Sequence, residues 1–350
     1  MTKPRVVFAY RYAILGGVSV QLMNRHALLA EHFDVRYLFE EDHGMVAELP
    51  SGSAEVAASA DSRVSALRSL DPDILVVIDS PSIFRAWAES GCNGRVVAEV
   101  HTTTANLSWV DSVNAAVEID SVLTPSEYMR DRLVGSQLAK RASVQVIPNC
   151  LAPAWFAEPV SIDVGVRPLA WVGKLDGHKR FRLAIDIADR VVGRVGNGVV
   201  PVFIGGYTAR EVQARSLLDA VGSRATLQEA RWWPWVDHRR MPGVLASVAT
   251  SGGGMLSTTM NESFGMSVAE ALVVGCPVVA PRVGALPELL PEEALYAADD
   301  AGAAVEIVSQ MYSDKGFRSY LIESAGTVRE RVRPEHAVGA LVAALEAVIA

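Results

Sequence analysis

Short apolar runs alternate with helix-length patterns along most of this chain, and that alternation restricts the fold more than any other feature. Residues 6–10, 35–39, 73–78, 96–100, 121–124, 144–149, 169–174, 200–204 and 277–280 are brief and mostly rich in Val, Ile and Leu. Runs of this kind, separated by helical stretches, are the pattern of buried parallel strands joined by crossover helices. The fold class is therefore read as α/β. At roughly 100 to 200 residues per domain, a chain of 350 residues holds two such series. The periodicity lapses between residues 150 and 168, where Pro153, Pro159 and Pro168 fall. This places one domain at 1–153 and a second at 154–333, with an Ala-rich helix at 334–350 packing back on the first.

Composition narrows the function classes. Half the residues are hydrophobic and 21% are charged, and no segment reaches the ~18 uninterrupted apolar residues of a membrane span. A net charge of -8 argues against broad nucleic-acid binding, which needs a concentrated basic face. Cys92, Cys150 and Cys276 are odd in number and far apart, a pattern of reduced thiols and not of a disulfide framework or a CxxC metal site. Residues 1–5 run straight into the first strand, so a cytoplasmic protein without a transmembrane anchor is expected.

The chemistry concentrates at residues 261–270. Glu262 and Glu270 frame Ser263-Phe264-Gly265, and an apolar helix from 266 to 274 stops at Gly275 with Pro277 after it. The first N–H groups of a helix lack intrahelical partners and carry the positive end of its dipole, so residues 263–267 can receive a phosphate. Carboxylates repel a bare phosphate, yet they suit the hydroxyls of a sugar and a ribose on either side of a diphosphate. As an isolated spacing, the two acids more readily describe a capped core helix with solvent-facing carboxylates.

Other stretches point the same way. Gly16-Gly17 after the first strand allows positive φ or close backbone approach to a ligand, and Ser19 can cap the following helix. A GxGxxG dinucleotide fingerprint would need glycine where Val20 stands. His101 falls at the carboxyl end of a strand, where open α/β sheets bind ligands. Lys174 and Lys179 follow Gly173 at another strand end, next to a helix start, and suit an anion. Trp232, Trp233 and Trp235 are read as packing material in the first instance, although a tryptophan can stack on a base or sugar.

Taken together, these residues resemble the retaining nucleotide-sugar glycosyltransferases of family four, which have the GT-B fold of two facing Rossmann-like domains with a central cleft. The most specific element is the ordered series Glu262-Ser263-Phe264-Gly265, Glu270-Ala271, residues 275–280 and residues 284–288. Gly16-Gly17, Pro125-Ser126-Glu127, Ile147-Pro148-Asn149 and Gly173-Lys174 with Lys179 support it. The resemblance implies a hexosyltransferase that moves a sugar from a nucleotide diphosphate donor to an acceptor hydroxyl with retention. It places Glu262 at the donor sugar, Glu270 at the ribose, and Lys174 and Lys179 on the diphosphate with the Ser263, Phe264 and Gly265 backbone. Gly16 and Gly17 would approach the phosphates, His101 would sit by the reacting sugar, and residues 230–232 would supply backbone contacts to the base. Neither a cofactor nor an obligatory metal is implied, and the DxD metal motif of the other glycosyltransferase fold is not recognised here.

The acceptor is expected in the N-terminal half, against Tyr10, Arg11, Tyr12 and residues 102–109, and is a small molecule, a saccharide or, less favoured by the acidic charge, a lipid-linked sugar. Lys174 stands where the family usually has Arg, Cys150 where Gly is common and Gly206 where many relatives carry Asp. Two other readings share the motif: a GT-B-like nucleotide-sugar epimerase or hydrolase, and a non-catalytic sugar-nucleotide-binding subunit.

Overall fold

The computed structural model describes residues 2–14, 16–103, 105–196 and 198–350. The chain divides into two compact units, Met1–Ala152 with Arg331–Ala350, and Pro153–Glu330.

In the first unit, β1 (Arg5–Ala13), β2 (Asp34–Asp42), β3 (Ala54–Val56), β4 (Ile74–Ile78), β5 (Arg95–Glu99), β6 (Ser121–Thr124) and β7 (Val144–Val146) form a sheet of order β3-β2-β1-β4-β5-β6-β7. Every pairing in it is parallel. The chain runs outward from β1 to β3 and restarts on the other side at β4, so the strand order reverses between β1 and β4. Side chains alternate between the two faces of a strand. Val6, Phe8, Ile74 and Val76 accordingly share one core with Leu22 and Leu29, while Val7, Ala9, Leu75 and Val77 share another with Leu67, Phe84 and Met129.

The helix Pro334–Ile349 belongs to this first unit. It packs on the helix Gly17–His32, and its Ala337, Val338, Leu341 and Leu345 enter the same core as Phe8. Leu341 and Leu345 are fully buried, each worth about 1.5–3 kcal/mol by removal from water.

In the second unit, β8 (Arg167–Val172), β9 (Val199–Ile204), β10 (Arg231–Trp233), β11 (Gly254–Leu256), β12 (Val278–Pro281) and β13 (Leu295–Tyr296) are ordered β10-β9-β8-β11-β12-β13. Here the strand order reverses between β8 and β11. The helix Phe181–Val195 covers this sheet because Phe181, Ala184, Ile185, Ala188 and Val191 recur at helical spacing and are all buried. The aperiodic stretch before β8 is tethered along the helix Met241–Thr250: the Ile162 N–H donates to Ser247 Oγ at 3.0 Å and the Val164 N–H to Ser251 Oγ at 2.9 Å. Among the described residues, no helix is long and apolar enough to cross a membrane.

Candidate functional site

In open α/β sheets the crevice for a ligand opens at the carboxyl ends of the two strands where the order reverses. In the second unit those ends are the loop after β8, with Gly173, Lys174 and Lys179, and the loop after β11, with Glu262 and Ser263. Hydrogen bonds join the two loops. Trp171 Nε1 donates to Thr258 Oγ1 at 2.9 Å, and that hydroxyl donates to the Lys179 carbonyl at 2.7 Å. The Met260 N–H donates to the His178 carbonyl at 2.8 Å, and His178 Nε2 lies 2.8 Å from the Asn261 carbonyl it serves.

On this frame Lys179 Nζ donates to Glu262 Oε1 as an ion pair. The Lys179 side chain is 25% exposed and that of Glu262 16%, so both are screened yet within reach of a ligand. The Lys179 backbone is fixed by donation to Asp176 Oδ1 at 2.8 Å. Lys174 is exposed on the same loop.

The backbone of Glu262 is clamped from a third loop. The Ala285 N–H donates to the Glu262 carbonyl at 2.9 Å. Gly284, beside it, has φ +57, and a Cβ there would lie 2.2 Å from the Glu262 carbonyl oxygen and 2.6 Å from its nitrogen. Only glycine permits this approach, which gives the Gly284-Ala285-Leu286-Pro287-Glu288 stretch a physical reason to accompany Glu262.

The helix after Glu262 runs Met266–Val273, with Gly265 at φ +100 as its N-cap. Phe264 is 1% exposed, so its ring belongs to the core. Glu270 lies on this helix and is 7% exposed. Its Oε1 lies 3.4 Å from His238 Nε2. Burial works to lower the His238 pKa, but the hydrogen bond and charge of Glu270, with Asp237, outweigh it and hold the imidazole above its ordinary value. His238 is the residue that sequence reasoning missed in this unit. It stands beside Arg239-Arg240, which read as a solvated basic patch, and nothing local marks it as the partner of a carboxylate 32 positions on.

The tryptophan reading needs correction. Trp232 is half-buried and donates from Nε1 to the Gly205 carbonyl at 3.0 Å, but Trp233 is 41% and Trp235 60% exposed. β10 is the edge strand of its sheet, and Arg231 and Trp233 on it are exposed while Trp232 between them is half-buried.

In the first unit, Gly16 is the N-cap of the helix Gly17–His32 with φ -170, extended backbone that any residue adopts, and Gly17 is helical. The expectation of positive φ at this pair fails. A Cβ on Gly16 would meet the Ile14 carbonyl oxygen at 3.8 Å, an ordinary contact. Ser19 does not cap: the helix begins two residues earlier, and its hydroxyl donates instead to the Tyr12 carbonyl at 3.1 Å.

His101 follows β5 and is 7% exposed. Its Nε2 lies 2.9 Å from Glu99 Oε1, the oxygen that also accepts from Arg25 Nη1 at 2.7 Å. Its backbone N–H donates to both oxygens of Asp79, at 3.1 and 3.2 Å. Burial disfavours the charge on Glu99, but Arg25 and His101 hold its carboxyl down at about 2. Asp79 goes the other way, pushed up mainly by burial. It sits at φ +45, a conformation rare for a residue with a Cβ, directly after β4 at the sheet's reversal point. Of the acceptor-wall residues, Tyr10 pairs in register with Ile78, and Arg11 lies over the Tyr12 ring at 4.7 Å. Thr104 falls outside the described residues.

The expected residues thus fall into two groups. Gly173, Lys174, Lys179, Glu262, Ser263, Phe264, Gly265 and Glu270 lie in the second unit, and Gly16, Gly17 and His101 in the first.

Comparison with known structures defines the class first: the fold is GT-B. The chain superposes on Anabaena Alr3699/HepE in complex with UDP and glucose with TM-score 0.83 at 13% identity, covering 98% of this chain and 100% of that one. It superposes on sucrose-phosphate synthase from Thermosynechococcus elongatus with TM-score 0.77 at 14% identity, covering 99% and 100%. Residues 167–314 match the family model described as "Glycosyl transferases group 1" and form a domain of that group.

Curated relatives include a phosphatidylinositol N-acetylglucosaminyltransferase subunit of Arabidopsis thaliana, 26% identical over 196 residues, or 54% of this chain and 41% of that protein. Its Homo sapiens counterpart is 30% identical over 161 residues, 43% of this chain and 29% of that one. The matched stretch thus spans less than half the length of either relative.

Proposed function

We propose that this protein transfers a hexose from a nucleoside diphosphate donor to an acceptor hydroxyl with retention at the anomeric carbon. The observation that carries the reading is the Lys179–Glu262 pair, formed where the strand order reverses and directly before the start of the helix Met266–Val273. A diphosphate that takes up Lys179 exchanges one anion for another, and the Glu262 carboxylate is released to accept hydrogen bonds from sugar hydroxyls. The first N–H groups of the Met266–Val273 helix and the Lys174 charge then stabilise the departing diphosphate electrostatically. Glu270 turns from His238 to the ribose hydroxyls, and His101 contacts the reacting sugar. In this reading the protein groups carry the leaving charge without an obligatory metal.

The domain match and the UDP and glucose in the Anabaena structure support a UDP-sugar as donor. The acceptor is a small hydroxylated molecule or a saccharide, and the name of the curated relatives puts a lipid-linked acceptor in the test panel as well.

Two measurements test this. Thermal denaturation with UDP, GDP, ADP and TDP should give the largest stabilisation with UDP, about 2.7 kcal/mol at 100 times its dissociation constant. NMR of the product formed from an α-linked UDP-sugar and an acceptor mixture should show an α anomeric proton. A β product refutes retention, and conversion of donor alone to an epimer or free sugar refutes transfer.

A further inference from the structure

We propose that Arg25 and Glu99 are positioning residues for His101, fixing its ring so that Nε2 carries the hydrogen and Nδ1 is the nitrogen that meets a ligand hydroxyl. The proposal takes from the reading above only that His101 touches the sugar.

Three observations carry it. First, Glu99 Oε1 is shared: it accepts from Arg25 Nη1 at 2.7 Å and lies 2.9 Å from His101 Nε2. An ionised carboxylate can only accept, so the imidazole nitrogen facing it must donate, which excludes the tautomer with hydrogen on Nδ1 alone. Second, all three side chains are deeply buried, those of Arg25 and Glu99 at 2% exposure and that of His101 at 5%. Glu99 Oε2 has no hydrogen-bond partner among the described residues. The carboxylate's hydrogen bonding is therefore directed to the arginine and the histidine, and no competing bond turns it away from either. A buried pair of this kind is poor value for stability alone, since apolar residues of equal volume often replace one without loss.

Third, Arg25 is held on a fixed base. It lies on the helix Gly17–His32, whose Gln21 and Asn24 grip the backbone of Cys150. Gln21 Nε2 and Asn24 Nδ2 donate to the Cys150 carbonyl at 2.7 and 2.8 Å, and the Cys150 N–H donates back to Gln21 Oε1 at 2.8 Å. Arg25 Nη2 also donates to Asn149 Oδ1 at 3.4 Å. From the other side, Asp79 holds the His101 backbone N–H. Ring and backbone of the histidine are thus each tied by a different carboxylate, one after β4 and one at the end of β5.

The test is made on the full chain, with two variants. Glu99→Gln keeps the shape but offers Nε2 an amide that can donate as well as accept. The double change Arg25→Met with Glu99→Leu removes both charges together and keeps the volume, so it folds where a lone buried charge would not. Nitrogen-15 NMR of histidine-labelled protein reads the tautomer directly and needs no substrate. Wild type should show His101 with the hydrogen on Nε2, and either folded variant should show mixed or reversed tautomers. Turnover on the UDP-sugar should fall on the order of 10- to 100-fold, by analogy with the range for carboxylates that orient metal-bound histidines, mainly in kcat with donor KM little changed.

A wild-type His101 with its hydrogen on Nδ1 overturns the proposal. So does a folded variant with a reversed tautomer and undiminished turnover. Wild-type protein that transfers to no acceptor counts against the transferase reading, while the NMR result still decides the positioning.

Discussion

Gly284→Ala is the most informative single change, because its cost can be worked from geometry. Placing alanine at φ +57 holds an L-residue in the left-handed region, at about 1–2 kcal/mol. The new Cβ would sit 2.2 Å from the Glu262 carbonyl oxygen, a backbone atom that cannot rotate away. Relieving that overlap costs a further ~1–3 kcal/mol and stretches the Ala285 to Glu262 hydrogen bond. Against this, alanine reduces the freedom of the unfolded chain, returning about 0.4–1 kcal/mol. A net loss of about 1–5 kcal/mol follows. Gly275→Ala is the matched control: φ is +76, but nothing lies within 4 Å, so only the conformational cost applies and the loss should be about 1 kcal/mol. Urea unfolding of both variants with a reporter in the second unit measures the difference. Gly284→Ala should also lower turnover under conditions where it is fully folded, since the clash pushes on the residue that pairs with Lys179. If the two variants lose equal stability, or if folded Gly284→Ala turns over at the wild-type rate, the clamp on Glu262 is not what glycine is there for.

Further outcomes follow from the same site. Lys179→Ala and Glu262→Ala should each lower kcat by an amount worth about 2.7–4 kcal/mol of transition-state stabilisation, and the double variant should lose less than the sum because the two side chains bond each other; additive losses would separate their roles. Folding raises the His238 pKa, so its pairing with Glu270 contributes fully below the ordinary value of 6.5 and is lost as pH rises through the folded value. Wild-type stability against urea should therefore fall more steeply than that of His238→Gln between about pH 6 and pH 8, and parallel curves would refute the coupling. Trp233→Ser with Trp235→Ser should each shift stability by no more than about 0.5 kcal/mol, as befits exposed positions, and a loss above about 1 kcal/mol would show that they pack after all.

What was legible in the sequence was what short-range physics encodes. Strand-length apolar runs announced the parallel sheets, and the glycine and proline after residue 274 announced where the Met266–Val273 helix stops. Glu262 and Lys179 could be picked out because each belongs to a local pattern, although their bond spans 83 positions. The Arg25–Glu99 pair could not. Each looks like an ordinary surface charge until the helix Gly17–His32 and β5 are laid against each other, and the register that buries them is a tertiary fact. His238 was hidden for the same reason. The two glycines after β1 misled in a different way: doublets of glycine usually mark positive φ, but here one is extended and the other already helical. The tryptophans misled because hydrophobic character predicts burial only where a neighbour exists, and on the edge strand β10 only Trp232 is half-buried.

The helix Pro334–Ile349 has a consequence for the order in which the molecule can assemble during synthesis. The sheet of the first unit precedes Pro153–Glu330 in the chain, but the helix that covers Phe8, Val76 and Leu29 follows it. All of Pro153–Glu330 is translated in between, which at ~5–20 residues per second takes on the order of tens of seconds. Over that interval the nascent chain carries a bare apolar face, while the second unit, continuous in sequence, is free to fold. The part of the protein begun first is therefore finished second, and a ribosome stalled before residue 334 holds a client for chaperones.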